Sequence, residues 1–173
     1  NSNKFLPFSQ KETILPINPL IKTLKEKTTD ARVFGFEEAN IKTNFATHFR
    51  FFDPNYFDPL HNKRYAQLIG YAHSGVYPPP IKRSDIEIVG DISINKNADQ
   101  KRQRLLNLLG VKYLIYKNSQ IPKNQFQQKT LWENKNWTIK INDHALPRAY
   151  LVNNVEVVKK EKMILEKLFS NSF

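Results

Sequence analysis

The stretch from Leu105 to Lys117, LLNLLGVKYLIYK, contains the clearest change of hydrophobic period in the chain and constrains its fold more than any other. Leu105, Leu108 and Leu109 fall on one helical face, with Leu106 beside them. Gly110 follows where a helix stops most readily, because glycine enters the left-handed region without a Cβ clash. From Val111 the pattern changes. Val111, Tyr113, Leu114, Ile115 and Tyr116 favour β-structure and make both alternating faces mostly apolar, which places this strand centrally in a sheet. Helix, glycine and doubly buried strand together predict a packed α/β core.

The rest of the chain suits one domain with an extended arm. Its 173 residues are enough to bury a real core, and 40% apolar with 12% aromatic residues argue against disorder. Phe5 to Pro19 (FLPFSQKETILPINP) has prolines at 7, 16 and 19 and no sustained period, so residues 1–17 read as an arm draped on a domain spanning 18–173. Asn18 as N-cap and Pro19 at the first helical position start a helix, with Leu20, Ile21 and Leu24 as its stripe, out to about Thr28. Ala31 to Phe36 follows as a strand.

Glu37 to Pro59 loses period and gains aromatics, a long loop of the kind that often carries function. A helix then runs from near Asn62 to Ser74-Gly75 with Tyr65, Leu68, Ile69 and Ala72 on one side, and Pro78 to Pro80 must be extended. Ile86 to Val89, and Ile92 with Ile94, are strand material interrupted at Gly90, and Asn95 or Asn97 caps the helix ending at Gly110. Asn118 to Lys129 is a loop, Leu131 to Ile141 a hairpin with Asn134-Lys135-Asn136 at its tip, and Ala149 to Val158 strand-like with a break at Asn153-Asn154. Lys159 to Phe169 closes as a helix bearing Met163, Ile164, Leu165 and Leu168. The predicted fold is therefore α/β (α+β): a single domain with a mixed sheet of about five or six strands packed with about four helices, near 19–28, 62–73, 97–109 and 159–169.

A formal charge of +11 favours anionic partners, nucleic acid or acidic lipid among them, yet the lysines are scattered. The tight basic runs are Lys101-Arg102 with Arg104 and Lys159-Lys160 with Lys162, which fits a generic basic surface better than a dedicated nucleic-acid site. Cysteine is absent, which removes disulfides, thiolate metal sites and Cys nucleophiles together. No apolar run reaches the ~20 residues a membrane helix needs, and no signal peptide is evident. The chain opens on Asn1 and reads as a piece of something larger.

The glycine spacings of a nucleophile elbow, a phosphate loop or a dinucleotide fingerprint are missing. Asp53, Asp58 and His61 would suit a metal chemically, but Asp before Pro is the ordinary turn residue, and no metal or cofactor is expected. Trp132 and Trp137 with Lys135 and Lys140 are read as hairpin aromatics with lysines at the rim, in preference to a nucleic-acid or sugar face. Asn136-Trp137-Thr138 fits the N-glycosylation pattern, a frequent chance match. Arg148 could meet an anion or carboxylate bidentately, and a structural ion pair with Asp143 or Glu133 is the favoured reading.

Three segments taken in order resemble one family. They are Phe57-Asp58-Pro59-Leu60 with Lys63-Arg64-Tyr65 and Leu68; Leu105 through Leu114; and Trp132-Glu133-Asn134 leading to Ala145-Leu146-Pro147-Arg148-Ala149-Tyr150-Leu151-Val152. The set is similar to the large bacterial YfhO-like multi-pass membrane proteins, which share an architecture with GT-C glycosyltransferases using polyprenyl-phosphate sugars. The resemblance implies a soluble domain on the extracytoplasmic face of the bacterial cell membrane, beyond the transmembrane helices of its own parent chain. It implies a structural or acceptor-positioning role, with a glycan or polyprenyl-phosphate-linked sugar as ligand, and no catalytic residue in this stretch. Asp58, Arg64, Tyr65 and Arg148 are the candidate substrate-binding residues, and residues 45–59 and 78–80 the expected contact surface. The alternative is a module that binds nucleic acid or another polyanion.

Overall fold

A computed structural model of the chain describes residues 16–28, 30–80, 85–91, 96–122 and 128–170. The expected arm, apart from Pro16 and Ile17, lies outside the described residues, as do Ile92, Ile94, Asn95 and part of the loop after Asn118. The central strand forms where its pattern predicts: β4 (Val111–Lys117) is parallel to β1 (Arg32–Gly35) and antiparallel to β6 (Trp137–Ile141), which pairs in turn with β5 (Thr130–Glu133). The order β1-β4-β6-β5 makes a mixed four-stranded sheet, and β2 (Tyr56–Phe57) with β3 (Asp85–Ile86) adds a small antiparallel ribbon. The domain is α/β, with five helices described: α1 (Pro19–Lys27), α2 (Phe45–Phe49), α3 (Lys63–Ser74), α4 (Lys96–Leu108) and α5 (Glu161–Leu168).

Strand alternation sorts the core into two clusters. Phe34, Leu114 and Tyr116 join Ala66, Ile69 and Ala72 of α3 and Leu105 and Leu106 of α4 in one. Val33, Tyr113, Ile115 and Ile139 join Leu24 of α1 and Ala46 and Phe49 of α2 in the other, where Trp132 and Trp137 also pack, half-buried. Within the leucine run it is Leu105 and Leu106 that are fully buried, while Leu108 and Leu109 are half-covered.

Local chemistry explains the boundaries. The Asn18 Oδ1 accepts from the Ile21 amide at 2.9 Å, and Asn62 accepts from the Arg64 and Tyr65 amides, so both helices start on a side-chain cap. Asn134 Oδ1 accepts from the Asn136 and Trp137 amides and folds the hairpin tip as expected. Gly110 has φ +64°, and a Cβ there would stand 2.7 Å from the Leu146 carbonyl oxygen, so both conformation and space call for glycine. Around that glycine the chain is locked by asparagines. Asn142 Nδ2 donates to Asn107 Oδ1 and to the Val111 carbonyl, each at 2.9 Å, and the Leu146 amide donates to the Asn107 carbonyl at 3.0 Å.

Three expectations need correction. Residues 37–59 are not structureless: Asn44 and Arg50, both left-handed, bracket the short helix α2, and Asn44 closes the loop by bonding both backbone groups of Phe57. Five residues are too few to show a helical period. The strand expected over 86–89 stops at Ile86, because the Ile88 amide donates to Asn55 Oδ1 and the Val89 amide to His73 Nε2, so neither enters a ladder. Residues 149–158 form no strand and make no backbone hydrogen bond to another described residue. The outer edge of β1 is already bridged by Phe52, whose carbonyl accepts from the Val33 amide at 2.9 Å.

Replacing Asn142 by Ala leaves the buried Val111 carbonyl without its side-chain donor. This is expected to cost about 1–3 kcal/mol, read from the urea midpoint, while exposed Asn154→Ala changes stability by less than about 0.5 kcal/mol. Equal effects would remove the junction from its structural role.

Candidate functional site

The first turn of α3 and the inner side of α5 face each other across a cavity of about 860 Å³. Leu68, Val158, Ile164, Leu165 and Leu168 give it an aliphatic wall, and Asn62, Arg64, Gln67, Lys159 and Glu161 a polar one. Helical spacing places Arg64, Gln67 and Leu68 on one face of α3, and Glu161, Ile164, Leu165 and Leu168 on one face of α5. Apolar lining with a few convergent polar groups is the usual make-up of a ligand site.

Two residues of the polar wall, Gln67 and Glu161, are held by a network with Tyr77 and Lys63. The Tyr77 hydroxyl donates to Glu161 Oε2 at 2.7 Å and accepts from Gln67 Nε2 at 2.6 Å, while Lys63 Nζ stands 3.4 Å from the same Glu161 oxygen. The bond from Tyr77, then those from Gln67 and the charge of Lys63, hold the Glu161 carboxyl below its ordinary range, and the same bond raises the Tyr77 phenol. Glu161, the only carboxylate among the described residues lining the cavity, is thus favoured in its ionised form. Arg64 and Lys159 make no ion pair with a described residue, so two cations remain for a ligand. The arrangement is one for holding an anionic group beside an apolar one.

Of the four residues singled out from the sequence, Arg64 and Tyr65 line this cavity. Tyr65 is anchored by its hydroxyl, which donates to the Pro54 carbonyl at 2.7 Å, and burial pushes its pKa up. Asp58 is an exposed turn residue whose Oδ1 accepts from the Leu60 amide at 2.8 Å. Arg148 lies elsewhere. Its guanidinium stacks 4.4 Å from the Phe52 ring centroid and reaches the Asp30 carbonyl at 3.5 Å, so the ion pair expected with Asp143 or Glu133 is not formed among the described residues. The aromatic loop is not wholly a surface either, because Phe49 and Phe51 are buried while Phe45, Phe52 and Phe57 are exposed.

Gln67, Tyr77, Lys159 and Glu161 carry no motif, and Tyr77 and Glu161 are 84 positions apart. The sequence signals that reached this wall were Lys63-Arg64-Tyr65 in the family resemblance and the basic run at Lys159-Lys160. A second, smaller cavity of about 470 Å³ lies by Ile69, His73, Glu87 and Val89. Near Glu87, burial pushes the Asp53 carboxyl up to about 7, against the Asn55 amide that donates to it at 2.7 Å and with help from the Glu87 charge. Among the described residues no three His, Asp or Glu side chains are placed to share a metal ion. Comparison with protein-family models, with curated proteins and with solved structures finds no match to this chain.

The folded chain holds the Asp53 proton up to about pH 7, whereas the unfolded chain releases it near 3.8. The stability this gives is therefore full below pH 3.8 and is lost as pH rises through about 7. Asp53→Asn keeps an acceptor for the Asn55 amide and cannot ionise. Denaturant titrations at several pH values should show that the variant lacks this decline and exceeds the native chain by roughly 1–3 kcal/mol at alkaline pH; parallel pH profiles would contradict the assignment.

Proposed function

We propose that this chain is an extracytoplasmic domain of a YfhO-like polytopic bacterial membrane protein, and that it positions a glycan or polyprenyl-phosphate-linked sugar for a parent of glycosyltransferase type. The observation that carries the reading is the cleft between α3 and α5, where Arg64 and Lys159, cations with no ion pair to a described residue, stand beside an aliphatic wall. A phosphate-linked sugar on an isoprenoid tail combines those chemistries in one ligand. No described helix is long and apolar enough to cross a membrane, so spanning segments belong to the parent in this reading. Catalysis is likewise assigned to the parent.

The resemblance also gains from where its segments meet. Asn107, inside the Leu105 to Leu114 segment, takes the Leu146 amide on its carbonyl, and Leu146 stands in the segment that ends at Val152. The first segment delivers Arg64 and Tyr65 to the cleft. The polyanion-binding alternative loses part of its footprint to the fold. Arg102 is buried, donating to the Val89 and Asp91 carbonyls and to Asp99, and Arg104 Nε donates to the Leu168 carbonyl at 3.0 Å.

The parent reading frame is expected to encode several apolar segments of spanning length. In that parent, Arg64→Ala with Lys159→Ala should lower glycan transfer roughly tenfold or more at unchanged protein level, while Arg148→Ala leaves it within about twofold. Unchanged transfer in the double variant would overturn the assignment of the cleft.

A further inference from the structure

The chain leaves the sheet after Ile141, and residues 149–157 are exposed on the way to α5. Leu151, Val155 and Val157 on this segment are 99%, 79% and 82% exposed, and Tyr150 and Val152 are also open to water. On α5, Met163 and Ile164 are exposed as well, and Ile164 shares a groove with Val155 and Val157. Single exposed aliphatics are common on protein surfaces, but five exposed apolar side chains within residues 150–157, which make no backbone hydrogen bond to another described residue, call for a partner.

Charge says which partner. The acids of this face are already matched, Glu156 by Lys167, Glu161 by Lys63 and Glu166 by Lys162. Lys159 and Lys160, directly between the apolar segment and α5, make no ion pair with a described residue. The face therefore offers aliphatic side chains next to unmatched positive charge, the pairing found where proteins lie on anionic bilayers. A second copy of the chain would bring the same +11 formal charge and be repelled.

We infer that residues 150–157, with Lys159, Lys160 and the outer side of α5, form a membrane-contact surface for bilayers containing anionic lipids. Leu151, Val155 and Val157 enter the headgroup and upper acyl region, and the lysines meet lipid phosphates. Residues 149–159 make no backbone hydrogen bond to a described residue, so insertion stays shallow, at a depth where water still reaches the peptide groups. Val158 and Lys159 also line the cleft between α3 and α5, so contact through this face sets the cleft at the headgroup level. That last consequence rests on the proposed function; the surface itself does not.

The 173-residue chain is tested by flotation with vesicles of phosphatidylcholine alone and of phosphatidylcholine mixed with phosphatidylglycerol. Binding is expected to the anionic vesicles. Leu151→Ser, Val155→Ser and Val157→Ser combined should weaken it roughly tenfold or more, with an unchanged urea midpoint because those side chains are exposed. Lys159→Gln with Lys160→Gln should weaken it and reduce its salt dependence. Absence of binding to anionic vesicles would overturn the inference. So would a triple serine variant that binds as the native chain does, which would mark adsorption by general positive charge. Concentration-dependent self-association in sedimentation, abolished by the same variant, would overturn it in favour of a second copy. A glycan-transfer defect is not read here, so failure of this surface and failure of the cleft assignment are told apart.

Discussion

Burial of β4 on both faces is the constraint from which the remaining architecture follows. A strand with Val111, Leu114, Ile115 and Tyr116 shielded almost completely must have a layer above and a layer below, and each layer has to arrive from a different part of the chain. Helices α3 and α4 supply one, and α1 and α2 the other. The aromatic side chains then order themselves around it. Tyr116 stacks on Phe36 at 4.8 Å, Phe36 meets Phe34 edge-on at 5.0 Å, and the Arg102 guanidinium stands 4.9 Å from the Phe36 ring centroid. A cation buried so deeply is tolerable because carbonyls and Asp99 surround it.

What could be read from the chain alone was what local chemistry decides. The cap at Asn18, the helix start near Asn62, the stop at Gly110, the hairpin tip at Asn134 and the two-faced strand all depend on residues within a turn of one another. The helix at 45–49 escaped because it is five residues long and its ends are set by left-handed Asn44 and Arg50, a conformation that asparagine tolerates but arginine does not announce. Residues 149–158 have the composition of a strand, but a strand needs an edge, and edge availability is a property of the whole fold. Arg148 does not form the structural ion pair expected of it, because its guanidinium stands over the Phe52 ring and reaches the Asp30 carbonyl instead of a carboxylate. Of the residues lining the candidate site, Arg64 and Tyr65 had been singled out through the family resemblance. The other half depends on α5 folding back so that Glu161 reaches Tyr77 and Gln67.

Charge distribution ties the fold to the proposed role. The Lys101-to-Arg104 run is drawn inward, where Arg102 and Arg104 bind carbonyls of the segments they hold. The Lys159-Lys160 run stays outside, between the exposed aliphatics and the cleft. A chain of +11 thus leaves Lys159 and Lys160 without an ion pair to a described residue, next to the cleft and the exposed aliphatics, and uses Arg102 and Arg104 as internal struts.

Native-state hydrogen exchange of the β4 amides addresses the two-sided burial most directly. Residues 113–116 are expected to exchange only through global unfolding, with opening free energies equal to that from denaturant melts, while amides of 150–158 exchange at nearly unprotected rates. Opening of β4 at the free energy of loop segments would contradict the account, because a strand shielded on both faces cannot reach water without the helices on each side coming away.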